Sequence, residues 1–121
     1  MAETFRAAIL TRLLREVGAK PYPVERGNAD TSKVARFLLP NGNPIVIGIN
    51  NKNPTVWLLP QHERNAFRFV GTAMYYAADK SRSHHLQQVR EFTDQPIVKV
   101  TVTSERLDDI RAAINAVAGA A

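Results

Sequence analysis

The 121-residue chain contains no cysteine. That excludes disulfides, thiolate metal sites, iron–sulfur clusters and a cysteine nucleophile, and it fits a reducing compartment. No run approaches the ~18 consecutive apolar residues that a membrane span requires. Arg12 and Arg15 interrupt any signal-type apolar core near the N-terminus, so the chain reads as cytoplasmic. A Gly-rich phosphate loop, a nucleophile elbow and a dinucleotide fingerprint are all missing, and no cofactor is expected. There is no internal repeat and no low-complexity segment.

What is there fits one globular domain over residues 1–121. Apolar residues make up 45% and charged residues 22%, enough of both for a packed core and a solvated surface. Sixteen bases against eleven acids give a net charge of +5 and a pI near 10.0. Such a balance favours acidic partners: nucleic acid, an acidic protein surface or a phosphorylated ligand.

Hydrophobic spacing sets the expected elements. Phe5, Ile9, Leu10, Leu13, Leu14 and Val17 recur at three- and four-residue steps, which predicts a helix over Glu3–Val17 stopped by Gly18 and Pro21. Pro21–Ser32 is a connector with a short extended piece near Tyr22-Pro23-Val24. Lys33–Leu39 alternates, with Val34, Arg36 and Leu38 on one face and Ala35, Phe37 and Leu39 on the other. Asn41-Gly42 signals a hairpin into a strand carrying Ile45, Ile47 and Ile49. In that strand Gly48 suggests a close approach or a bulge. Thr55–Leu59 and Phe67–Val70 read as further strands, and Gly71–Lys80 is ambiguous between helix and strand.

Ser81–Phe92 reads as a helix with Leu86, Val89 and Phe92 inward and Ser81 or Ser83 as its N-cap. Ile97–Thr103 is a β-branched strand with Val98, Val100 and Val102 inward, able to lie beside Thr55–Leu59. Ser104 caps a last helix, with Leu107, Ile110, Ile114 and Val117 as its stripe. The expectation is an α+β fold in the order α-β-β-β-β-α-β-α: an antiparallel sheet of four to five strands with helices against one face.

The positive charge is concentrated. Between Arg64 and Arg90 lie Arg64, Arg68, Lys80, Arg82 and Arg90 against one acid, Asp79, so this stretch holds +4 of the total +5. Its centre, Ser81-Arg82-Ser83-His84-His85, places hydroxyls, an arginine and imidazoles where a helix would start. Free N–H groups and the dipole at a helix start favour an anion, and Arg82 adds a fork for phosphate. The plain alternative is an ordinary serine cap with a solvated arginine.

Three chemistries are weighed against this binding role. Adjacent His84 and His85 point about 100° apart on a helix, so they do not share a metal, and no metal site is expected. A nuclease of the PDDEXK type, which has a similar element order, needs an acid on one strand and an acid-x-Lys on the next. Lys33–Leu39 and Pro44–Asn50 contain neither Asp nor Glu, which excludes it. A metal-free phosphodiesterase would need His62, His84 or His85 with Arg64 or Arg82 around one phosphate, a set the spacing does not select.

The preferred expectation is a polyanion-binding domain that contacts nucleic-acid phosphates through Arg64, Arg68, Lys80, Ser81, Arg82, Ser83, His84 and Arg90. Its affinity would be salt-dependent and largely non-specific. Phe67, Phe69 and Trp57 are read as core anchors. The alternative is a protein-interaction or inhibitor module in which an exposed strand edge captures a partner or forms a homodimer.

Overall fold

A computed structural model describes residues 5–24, 27–29, 31, 33–49, 53–62, 67, 70–78, 84–87 and 89–119. Strands β1 (Lys20–Pro21), β2 (Val34–Leu38), β3 (Pro44–Gly48), β4 (Thr55–Leu58), β5 (Gly71–Tyr76) and β6 (Ile97–Val102) form one antiparallel sheet. The helices are α1 (Phe5–Glu16), α2 (Pro60–His62), α3 (His84–Gln87) and α4 (Leu107–Gly119), with a 3₁₀ turn at Arg90–Phe92. The class is α+β as expected, with six strands rather than four or five. The additional strand is β1, which pairs Lys20 with Leu38 and Pro21 with Phe37.

Strand order is β1-β2-β3-β4-β6-β5. β2 and β3 form the expected hairpin. Of the Asn41-Gly42 pair in its loop only Gly42 has positive φ. Gly42 N–H donates to Leu39 O, and Leu39 N–H donates to Asn43 O, each at 2.9 Å. This is a type I turn followed by a left-handed glycine, the common three-residue hairpin. Gly48 stays in register with both Val34 and Thr55, so β3 has no bulge there.

α1 and α4 cover one face of the sheet. Leu10, Leu13 and Leu14 of α1 meet Ile110, Ile114 and Val117 of α4 over Phe37, Ile45, Ile47, Val98 and Val100. The fall of α1 is rotated slightly from its sequence stripe: Ala7 and Thr11 are buried, whereas Ile9 and Val17 pack at the rim. Thr11 is tolerated inside because its hydroxyl donates to Ala8 O at 3.0 Å. At the far end Asn41 Nδ2 donates to Val117 O and Ala118 O at 2.9 and 2.7 Å, tying the hairpin to the last turn of α4.

The expectation of helices on one face alone is corrected. Tyr22, Leu86, Val89 and Phe92 form a second core against Val34, Val46 and Ile97 on the opposite face. The same segment corrects the expected Ser81–Phe92 helix. α3 is a single turn, Val89 is extended at φ −92 and ψ 105, and the chain resumes as a 3₁₀ turn. Leu86, Val89 and Phe92 recur at intervals of three, without the alternating step of four that an α-helical stripe uses. Val89 N–H donates to Leu86 O and Phe92 N–H to Val89 O, i→i+3 bonds that match this spacing.

The expected strand at Phe67–Val70 is also corrected. Phe67 and Val70 are core residues of the connection, with Val70 N–H donating to Phe67 O. The strand begins at Gly71 and ends at Tyr76, which resolves the first part of the Gly71–Lys80 segment as strand. Val70 O accepts from both Thr103 and Ser104 N–H at 3.0 Å, which docks the connection onto the end of β6. Ser104 does not cap α4 directly. Its hydroxyl accepts from Arg106 N–H in a local turn before the helix.

Candidate functional site

Of the expected anion cluster, Arg64, Arg68, Lys80, Ser81, Arg82 and Ser83 lie outside the described residues. Of His62, His84 and His85 the backbone alone is described. His84 is the first residue of α3, a turn of four residues. Arg90 is fully described. It is exposed, opens the 3₁₀ turn and lines a depression of about 610 Å³ with Leu59, Pro60, Gln61, Glu91 and Thr93.

Arg90 adjoins a polar pair made of buried Tyr22 and half-buried Glu91. Tyr22 is 2% exposed, and its hydroxyl donates to Glu91 Oε1 at 2.5 Å while accepting Arg90 N–H at 3.1 Å. Burial pushes the Tyr22 phenol above its usual pKa, and the bond to the Glu91 carboxylate, which needs the hydroxyl proton, pushes the same way. The backbone N–H and side chain of Arg90 pull it down. This arrangement fixes the 3₁₀ turn on the sheet and sets Arg90 at the rim of the depression.

A second group of residues was not anticipated as a site. The face opposite α1 and α4 is covered where Tyr22, Leu86 and Phe92 sit, but across β4, β6 and β5 it opens. Register places Trp57, Lys99 and Met74 in one row, and Thr55, Thr101 and Thr72 in the next. Trp57, Lys99, Thr55 and Thr101 are half-buried, and Met74 and Thr72 are exposed. The Lys99 ammonium lies 5.7 Å from the Trp57 ring centroid. Tyr76 meets the same indole at 5.2 Å between centroids, tilted by 56°.

This cluster combines an aromatic surface with a cation. An ammonium over an indole face is worth about 0.5–1 kcal/mol at an accessible site, weak enough to be exchanged for a phosphate. A faint signal for it lies in the sequence. Within Val98-Lys99-Val100-Thr101-Val102 the polar residues alternate strictly with the valines, and in β4 Thr55 and Trp57 alternate with buried Val56 and Leu58. Alternation of that kind marks a strand whose second face is open. Trp57, read as a core anchor, is half-buried: it packs against the second core and leaves part of its ring on this face.

Among the described residues no group of three histidine, aspartate or glutamate side chains is placed to hold a metal. No helix among them is long and apolar enough to cross a membrane. No family model, no curated protein and no solved structure matches this chain. A functional reading therefore rests on the residues themselves.

Proposed function

We propose that the chain binds single-stranded nucleic acid on the open part of the sheet around Trp57. The observation that carries this reading is the meeting of Trp57, Tyr76 and Lys99 on an accessible strand surface of a chain with net charge +5. Bases stack on aromatic side chains whatever their identity, at about 1–3 kcal/mol each, while cations track the phosphates. In this reading a base lies against the indole, with Met74 and Thr72 beside it. Lys99 leaves the ring face and takes a phosphate. Arg90 extends the cationic track toward the depression, and Arg64, Arg68, Lys80 and Arg82 supply the long-range field.

Trp57 is the chain's single tryptophan, so its fluorescence reports on this surface alone. Short single-stranded DNA and RNA, titrated at low and moderate salt, should quench that emission in step with a rise in ligand anisotropy. Both should weaken as salt increases. No binding at low salt overturns the reading. Binding that leaves Trp57 emission unchanged moves the contact away from this face.

A further inference from the structure

The two edges of the sheet differ in kind. β1 is two residues long, exposed, and contains Lys20 and Pro21. Shortness, a lysine and a proline are the usual devices that stop an edge from recruiting another strand. β5 has none of them. It is six residues long, reads Gly-Thr-Ala-Met-Tyr-Tyr without a charge or a proline, and pairs with β6 continuously from Gly71↔Val102 to Tyr76↔Ile97. Among the described residues no strand lies on its outer side.

Met74 is 52% exposed and Tyr75 is 60% exposed; with Leu107 they are the exposed large hydrophobic side chains among the described residues. They are adjacent in a strand, so they leave on opposite faces of the sheet. A helix or loop lying on one face covers one of them. An added strand covers both, because its own side chains alternate in the same way.

We propose that this added strand is β5 of a second copy of the chain, paired antiparallel about a two-fold axis through Met74. The axis is normal to the sheet, so opposed residues share a face. Met74 then meets Met74, Tyr75 meets Ala73, and Tyr76 meets Thr72. Each tyrosine is set against a small side chain, which makes the segment complementary to itself, as an isologous contact requires. The strands in contact are uncharged, so two molecules of net charge +5 approach at a place where neither presents a like charge on the paired strand. The dimer is one continuous sheet with the α1–α4 layers of both copies on the same side. The pairing does not depend on the nucleic-acid reading.

The absence of cysteine makes the test clean. Directly opposed residues of antiparallel strands lie about 4.5–5.5 Å apart at Cα, within disulfide reach. Met74→Cys under mild oxidation should give a covalent dimer much faster than Lys20→Cys on the protected edge. Sedimentation of the unmodified chain over a concentration series should show a reversible dimer. Tyr75→Lys or Thr72→Lys, each retaining the native circular dichroism, should return it to monomer. A chain that stays monomeric at high concentration overturns the proposal. So does a dimer that survives both lysine variants, or a Met74→Cys chain that cross-links no faster than Lys20→Cys.

Discussion

The Tyr22 hydroxyl and the Glu91 carboxylate, 69 residues apart in sequence, share a hydrogen bond of 2.5 Å. It joins the end of β1 to the 3₁₀ turn and so closes the second core over the sheet. Tyr22→Phe keeps the ring and removes the bond, leaving Glu91 and the Arg90 N–H each short of a partner. The expected cost is about 1–2 kcal/mol in urea unfolding.

The same residue predicts an alkaline limit. In the unfolded chain Tyr22 ionises near 10.0, and in the folded chain above it, because of burial and the bond to Glu91. Below that value both states hold the proton and the contribution is constant. As pH rises through it, the unfolded state releases its proton first and stability falls until the folded phenol also ionises. Unfolding of the native chain and of Tyr22→Phe, compared from neutral pH to pH 11, should show this slope in the native chain and its loss in the variant. Parallel slopes would count against it.

Arg36 is 1% exposed within β2. Its Nε donates to Ala29 O at 3.2 Å, and a terminal nitrogen donates to Asn28 O. The fork holds two carbonyls of the β1–β2 connection against the sheet. Arg36→Met removes both side-chain bonds, leaving Ala29 O with the Arg36 backbone N–H alone, and should cost about 2–3 kcal/mol. Arg36→Lys, with one ammonium in place of the fork, should recover part of this. Urea midpoints order the three proteins, and equal midpoints would refute the role.

Two strand glycines separate by what they face. A Cβ on Gly71 would lie 2.0 Å from Thr101 O, a backbone atom that cannot rotate away. A Cβ on Gly48 would lie 2.3 Å from Thr55 Oγ1, which can. Gly71→Ala should therefore cost about 2–3 kcal/mol and loosen β5, while Gly48→Ala costs less than about 1 kcal/mol. Thermal melts and amide exchange on β5 check both.

Lys99→Ala tests the proposed ligand surface without touching the core. It should weaken single-stranded nucleic acid and lower the salt slope by about one ion. Stability should change by no more than the small cation–π term. Unchanged affinity would remove Lys99 from the contact.

Short-range pattern accounts for much of the architecture. The three- and four-residue steps of Leu10, Leu13 and Leu14, and of Ile110, Ile114 and Val117, place α1 and α4. The alternation around Phe37, Ile45 and Val100 places β2, β3 and β6 and assigns the side chains that meet the helices. The expected neighbourhood of β4 and β6 is also found. The errors share a cause. Phe67 and Val70 are apolar enough for a strand, yet their three-residue spacing serves a buried turn. Leu86, Val89 and Phe92 suit a helix until their regular step of three is seen against the sheet.

The sequence by itself therefore determined the α+β class, the hairpin and the principal core residues, because each depends on periodicities spanning a few residues. It also supplied the basic charge, whose local cluster lies largely outside the described residues. The tertiary structure alone decided that Tyr22 reaches Glu91 and that Arg36 turns inward to the loop. It alone set Lys99 against Trp57, and left β5 rather than β4 at the edge. Those outcomes join residues distant along the chain. They follow from the register and order in which strands close on one another, which no local propensity encodes.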